Sequence, residues 1–435
     1  MKNLFSEFNP ISAGEWKAQL IKDLKGDSYE SLIWQNENGF SVKPFYTSED
    51  LLTTYSPVFT HTDWDICVKT KEGDSKQINA QLLKDLNLGS TSISVNCDSI
   101  NFELVLKDIQ LNYISSTFYI HPKDIEWLTN YLSKNYKLNE LNLTLFPKRL
   151  ENQKDLNYWE TVISLFSPYK NIKTISVDAL IYHNQNCFAY YEVAIIFSAL
   201  NECLTHQIVN TKADVVVKTG VSSDYFIQIA KLRAIRRLWE ILKKEYGLSN
   251  NLYIITETSL TNKSISDSYN NLLRTTIESM AAVAGGSNEL IVNSFDILFS
   301  QNNKLGERMA INQQLILKEE SYLNKMADVS CGSFYIESIT DAIAEKALES
   351  IKKIEEEGGY FKCLEKKVFE TEMNKQANQK TEAINSQQQI SVGVNKFKNE
   401  KENIKMDDTA LDYLKKLNMN NPVLNFELQN ILKHA

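Results

Sequence analysis

Tyr182 and His183 stand side by side just after the apolar run TISVDAL, at the kind of strand end where barrel enzymes place reacting groups. An imidazole there can act as a general acid or base, because it exchanges a proton near neutral pH. The plainer reading is a hydrogen-bonded polar residue at a strand end or a subunit contact. Glu257 and Glu278 have no carboxylate close to them in sequence, so nothing points to paired-carboxylate chemistry. Arg233, Arg236 and Arg237 could form an anion clamp. On a helix, at about 100° per residue, they would spread around the axis, and an exposed face is expected.

Other chemistries lack their residues. None of the 14 glycines falls in G-x-G-x-x-G or G-x-x-x-x-G-K-[ST], and no G-x-S-x-G elbow occurs. Cys67, Cys97, Cys187, Cys203, Cys331 and Cys363 form no C-x-x-C pair and read as buried free thiols. The five histidines are scattered without ligand spacing, so no metal site is expected. A net charge of −8 and a pI near 5.4 argue against nucleic-acid binding. No apolar run reaches membrane-spanning length, and the opening MKNLFSEFNPISAGEW has no signal-peptide core. A cytoplasmic location is the expectation.

The elements that must position these residues follow from periodicity. TSISVNC, LNLTLFP, TISVDAL, DVVVKTG, NLYIITETS and ELIVNSF are candidate strands, several separated by helix-length segments. In DYFIQIAKLRAIRRLWEILKKEYG, helical spacing links Phe226, Ile229, Leu232, Ile235, Leu238 and Leu242, and Gly247 closes the helix. In NNLLRTTIESMAAVAGGSNELIVNSFD, Tyr269, Leu273, Ile277, Met280 and Ala284 share one helical face. Gly285 and Gly286 then stop the helix, and Leu290, Ile291 and Val292 form a strand buried on both sides. Repeated strand-then-helix order implies parallel strands with crossover helices. Six or more such units suggest a (β/α)8 barrel, although pattern alone leaves an open sheet possible. Residues 1–50 read as an arm with one amphipathic helix around Trp16, Leu20, Ile21 and Leu24, too thin in core to stand alone. The barrel is assigned to 51–397, with ISVGVNKF as a last strand, and 398–435 to a short helical tail.

Several long segments, in order, resemble the methylmalonyl-CoA mutase family. LRTTIESMAAVAGGSNELIVNSFD is similar to R-T-T-x-E-A-x-A-A-V-x-G-G-T-Q-S-L-H-T-N-S-x-D, and FIQIAKLRAIRRLW to F-x-E-I-A-K-L-R-A-x-R-x-L-W. NQQLILKEESYLNKMADVSCGSFYIESIT, QISVGVNKF and DLKGDSYESLIWQNENGFSVKPFYTSEDL resemble further family segments, the last of them its N-terminal arm. The similarity covers the arm and Ser176 to Lys396 and is fainter between. It implies an α/β fold, a (β/α)8 TIM barrel threaded by acyl-CoA along its axis. A separate domain would hold adenosylcobalamin through D-x-H-x-x-G. Residues 398–435 hold no such motif and only His434, so no cofactor binding by this chain is expected.

The resemblance also fails where the family's chemistry lies. Gapless local alignment sets Ile181 at the family's histidine in G-Y-H-M-Q and His183 at its glutamine. Tyr253 replaces the arginine of R-T-H-x-Q-T-S-G, Asn288 the glutamine of Q-S-L-H-T, and Ile291 its histidine. Phe59 stands for the active-site tyrosine and Cys67 for the arginine of W-T-I-R-Q. These seven positions are read as a degenerate substrate pocket with no catalytic residue. The resemblance therefore implies a non-catalytic small (beta) subunit in a heterodimer, with adenosylcobalamin in the partner large (alpha) subunit and the arm contacting that partner. Two alternatives stay open: a substrate-binding barrel served by a separate cobalamin subunit, and a stand-alone barrel with another ligand.

Overall fold

The computed structural model describes residues 9–51, 55–71, 73–98, 100–148, 150–205, 212–299, 303–399, 414 and 419–434. The chain opens with helix α1 (Ala13–Asp23), started by a capping box in which Ser12 and Glu15 satisfy each other's backbone N–H. A short hairpin follows, Trp34–Gln35 against Ser41–Val42. Its tip is tied to the body of the protein. The Asn38 carbonyl accepts a hydrogen bond of 2.5 Å from Lys346, and Glu37 pairs with Lys380 at 3.0 Å.

The barrel strands are β1 (Asp65–Lys69), β2 (Ser92–Asn96), β3 (Ser115–Ile120), β4 (Asn142–Pro147), a split β5 (Ile172–Lys173 and Ser176–Asp178), β6 (Val215–Val221), β7 (Leu252–Thr258) and β8 (Glu289–Ile291). Every neighbouring pair is parallel, and β8 pairs with β1. The ring closes through β5, whose first half pairs with β4 (Leu143 with Ile172) and whose second half pairs with β6 (Ser176 with Val216). The (β/α)8 barrel is thus the fold, and the open sheet is set aside. Around the ring lie α2 (Ser75–Asn87), α3 (Ile125–Asn135), α4 (Gln153–Phe166), α5 (Ala189–Thr205), α6 (Tyr225–Glu245), α7 (Ser268–Ala284) and α8 (Lys304–Leu315). Outside them come α9 (Phe334–Glu356), α10 (Tyr360–Glu365), α11 (Val368–Asn385) and α12 (Pro422–His434).

All six candidate strands are present, and β1 and β3 are additions to them. DICVK and SSTFYI carry too many polar residues to stand out as apolar runs, because their inward positions line a polar barrel interior. ISVGVNKF is not a strand. Gly393 turns at φ +81°, the only ladder contact is an isolated bridge between Val392 and Lys396, and the Asn395 amide ties the turn to the Ile384 and Gln389 carbonyls. The closed ring of eight strands leaves no edge for it to join. Most of the tail, 400–413 and 415–418, lies outside the described residues, whereas α12 packs on α11.

Helix α7 buries the face opposite to its apolar stripe. Tyr269, Leu273 and Ile277 are exposed, while Asn271, Thr275, Glu278 and Ser279 are buried. A buried polar network explains the inversion: Lys263 meets both Glu278 oxygens at 2.8 and 2.9 Å, and Gln313 bonds Thr275 and Thr276. The glycine stop is required by space. A side chain at Gly286 (φ +85°) would run into the Phe59 ring, and one at Gly285 into Leu232.

The three arginines of α6 are not on an exposed face, because α6 is packed against α9 and between its neighbours α5 and α7. Arg233 pairs with Asp328 and, at 2.7 Å, with Glu337; Arg237 pairs with Glu337 and Asp341. Arg236 donates to the carbonyls of Leu252 and Gly286. Cysteines 67, 187, 203 and 363 are buried free thiols, while Cys97 and Cys331 are half-buried.

Candidate functional site

Inward side chains of a barrel recur every second residue, so β1, β7 and β8 each deliver one residue to three successive levels of the axis. β1 contributes Asp65, Cys67 and Lys69. β7 contributes Tyr253, Ile255 and Glu257, and β8 with its exit contributes Glu289, Ile291 and Asn293. The levels differ in chemistry.

The level nearest the amino ends is polar. Ser115 donates to Asp65 at 2.5 Å, Asn142 to Ser115 at 2.7 Å, and Lys173 to Asn142 at 2.6 Å. The Tyr253 hydroxyl lies 3.5 Å from both the Asp65 and Glu289 carboxylates, and the Lys173 ammonium sits 4.6 Å above its ring. The middle level is apolar: Cys67, Phe146, Val216, Ile255 and Ile291 form one buried cluster, with Tyr119 and Tyr253 packed against it. The upper level is ionic. Lys69 and Lys218 flank Glu257 at 2.6 and 3.1 Å, Asn293 donates to Glu257 at 3.1 Å, and Lys218 leads through the Tyr119 hydroxyl (3.1 Å) to Asp178 (2.9 Å). Burial opposes ionisation of Glu257, but the two lysines outweigh it and hold the carboxyl at about 2.

Burial, with little relief from neighbours, lifts Glu289 to about 7. The unfolded chain loses this proton near the ordinary carboxylate value, while the folded chain keeps it until near neutrality. The cost of the buried charge therefore grows from about pH 4.5 and is complete above pH 7. Replacing Glu289→Gln removes that cost. Denaturant titration is expected to show the variant gaining on the order of 3 kcal/mol over the parent at pH 8, and much less at pH 5. An equal difference at both pH values contradicts the assignment.

Cys67, Tyr253 and Ile291 thus meet on the axis. Asn288 and Phe59 lie below it. Asn288 accepts from Arg236 (2.9 Å) and from the Ile254 N–H (2.9 Å), and the Phe59 ring lies 5.4 Å from the Arg236 guanidinium. With Arg236, His61 and Trp239 these residues border a cavity of about 640 Å³ at the amino face. Ile181 is elsewhere, half exposed on the short helix Leu180–Asn184 outside the ring.

His183 lies on the buried face of that same helix. Its Nδ1 lies 3.2 Å from Glu192 and its Nε2 2.9 Å from Ser259 Oγ. The spacing is that of a Ser–His–carboxylate triad, but its surroundings make it structural. Ser259 is fully buried and also receives the Thr261 N–H, and Glu192 is neutralised by the buried Lys231 at 2.9 Å. A second cavity, about 620 Å³, opens at the carboxyl ends of β3 to β5, bordered by Tyr119, Phe146, Asp178, Ile181, Tyr182 and Tyr360.

Sequence reasoning missed Asp65, Lys69, Lys173, Lys218, Ile255 and Glu289. A signal for some of them was there: a short strand with charges four residues apart on one face and apolar residues on the other, as Asp65 and Lys69 against Ile66 and Val68 in DICVK, points its charges into the barrel.

Among the described residues there is no group of His, Cys, Asp or Glu suited to a metal, and no helix long and apolar enough to cross a membrane. Comparison with known proteins gives a consistent picture. A family model described as methylmalonyl-CoA mutase matches residues 167–421, more than half of the chain. The methylmalonyl-CoA mutase small subunit of Porphyromonas gingivalis is 28% identical over 92% of this chain and 71% of its own length. The mitochondrial methylmalonyl-CoA mutase of Bos taurus is 27% identical over 92% of this chain, which spans 62% of that relative. A probable mitochondrial methylmalonyl-CoA mutase of Caenorhabditis elegans is 40% identical over 41% of this chain and 25% of its own length.

Proposed function

Because the chain belongs to the methylmalonyl-CoA mutase family, we propose that it is the non-catalytic small subunit of a heterodimeric, adenosylcobalamin-dependent methylmalonyl-CoA mutase. In this reading the partner large subunit interconverts methylmalonyl-CoA and succinyl-CoA in the cytoplasm, and this chain stabilises it. The supporting observation is the plugged axis. Where the family threads a thioester, Cys67, Val216, Ile255 and Ile291 close on one another between two polar levels. The positions aligned with the family's histidines and arginines hold Ile181, Ile291, Cys67 and Tyr253, of which only the last can donate a strong hydrogen bond.

The residues at the carboxyl face do not fit adenosylcobalamin. Both ring nitrogens of His183 are engaged, and His121 pairs with Asp98. Residues 420 and 421 bond the loops after β5 and β7 there. The cofactor is therefore assigned to the partner, and no step is routed through this chain. What this chain supplies is surface. Ile11, Ile21, Leu32, Trp34 and Phe45 of the arm are exposed, and the Trp16 and Phe45 rings pack at a tilt, 4.8 Å between centroids. Solvent-exposed aromatics on an anchored arm suit a partner's barrel.

Purification from the native source with mass spectrometry tests the proposal. A second chain of the same family is expected to co-elute at equal stoichiometry. Elution of the chain alone in an intact, folded state contradicts it. The 620 Å³ cavity favours a second reading, a barrel that binds a ligand of its own, and that outcome would support it.

A further inference from the structure

The carboxyl end of a barrel is the face that ordinarily stays open to ligands. Here the C-terminal segment runs across it. Asn420 N–H donates to the Asn184 carbonyl at 2.7 Å, on the helix that follows β5. The next residue, Asn421, reaches the loop after β7: its side-chain amide donates to the carbonyls of Leu260 (2.9 Å) and Lys263 (2.8 Å). The same Asn421 accepts from the Leu424 N–H at 2.9 Å and so caps α12, with Pro422 in the first helical position. One turn further on, Glu427 is buried and takes three hydrogen bonds from the β7 loop. They come from Ser264 Oγ (2.6 Å), Ile265 N–H (2.9 Å) and Ser266 N–H (3.0 Å). Leu424 packs with Ile265 and with Leu298 beyond β8, and Val423 packs with Ile384 and Val394.

These anchors lie on three different strand exits, after β5, β7 and β8. Two of them adjoin the His183–Ser259 pair, since Asn184 follows His183 and Leu260 follows Ser259. We propose that residues Met419 to Gln429 form an intrachain strap that closes the β5, β7 and β8 side of the carboxyl face over the His183–Ser259–Glu192 cluster, and that from this side solvent or any ligand reaches the cluster only when the strap lifts. A buried carboxylate that accepts two backbone N–H groups of one loop is a strong and local fastening, because each bond is charge-assisted. Its loss leaves those N–H groups without an acceptor, so the loop and the strap should loosen together.

The full-length variant Glu427→Ala removes the fastening, and Glu427→Gln keeps the shape but loses the charge. Two readouts apply to the chain alone and are independent of any partner subunit: amide hydrogen exchange over residues 259–267 and 419–429, and carbethoxylation of His183 by diethyl pyrocarbonate followed by peptide mass spectrometry. The parent is expected to leave His183 unmodified. Glu427→Ala should raise exchange at residues 264–266 at least about tenfold and make His183 reactive, with Glu427→Gln between the two. If Glu427→Ala does not fold, the Glu427→Gln comparison carries the test. The proposal is overturned if the strap exchanges freely while His183 stays protected, or if neither variant changes exchange in the loop.

Discussion

Incubated with methylmalonyl-CoA and adenosylcobalamin, the purified chain is expected to form no succinyl-CoA. Loss of general acid–base groups alone typically removes about 10²–10⁴ in rate, and a blocked binding site removes the remainder. The geometry supports both losses. Two carboxylates on the axis are taken up by their neighbours: Glu257 is held between Lys69 and Lys218, and Asp65 takes the Ser115 hydroxyl. None of these is poised to deliver a proton into an open pocket. His183, the one imidazole at the carboxyl face with triad spacing, is sealed between Glu192 and Ser259. Chromatographic detection of succinyl-CoA formed by this chain alone, above a no-protein control, is the outcome that contradicts the non-catalytic reading.

Deleting residues 1–45 is expected to weaken association with the large subunit at least about a hundredfold while the barrel stays folded. The hairpin holds the arm to the body through its tip and through Phe40 and Val42, which pack on the core, whereas α1 buries no residue. Its apolar side chains are therefore available to a partner. Burying Ile21, Trp34 and Phe45 is worth about 1.5–3 kcal/mol each, and each 1.4 kcal/mol is a factor of ten in affinity. Analytical ultracentrifugation of the mixed subunits, with circular dichroism of the truncated chain, separates the two effects. Unchanged association by a folded truncation assigns the arm some other role.

Much of the fold was legible because buried parallel strands and crossover helices leave distinct periods. VVVKTG, LYIITET and ELI announced their strands, and the α6 pattern announced its helix. DICVK and SSTFYI stayed hidden, since a barrel whose interior is polar asks its strands for Lys, Ser and Thr where a pattern search asks for Val and Ile. In α7 the period was right and the face was wrong. Lys263, Glu278, Thr275 and Gln313 satisfy one another inside, which leaves Tyr269, Leu273 and Ile277 outside. The arginines of α6 misled for a related reason: Asp328, Glu337 and Asp341, about a hundred residues away, make their burial tolerable, and no local pattern reveals them. Of the seven candidate pocket positions, Cys67, Tyr253 and Ile291 converge on the axis. Phe59 and Asn288 support its lower rim, His183 lies in the buried cluster, and Ile181, half exposed, borders the cavity at the carboxyl face. Ile255, central to the plug, escaped notice because it sits in an unremarkable apolar run. The strap was invisible for a different reason: Asn420, Asn421 and Glu427 carry no motif, and only the folded chain brings them to the loops they hold.

In the proposed small subunit the barrel axis admits no acyl-CoA. Isothermal titration of the folded, full-length chain with succinyl-CoA, and separately with methylmalonyl-CoA, tests it without requiring turnover or a partner. The plug of Cys67, Phe146, Val216, Ile255 and Ile291 predicts no heat beyond dilution in either titration. Saturable binding at one site with a Kd of about 1–100 μM, some 5–8 kcal/mol of affinity, means an open channel and contradicts the account.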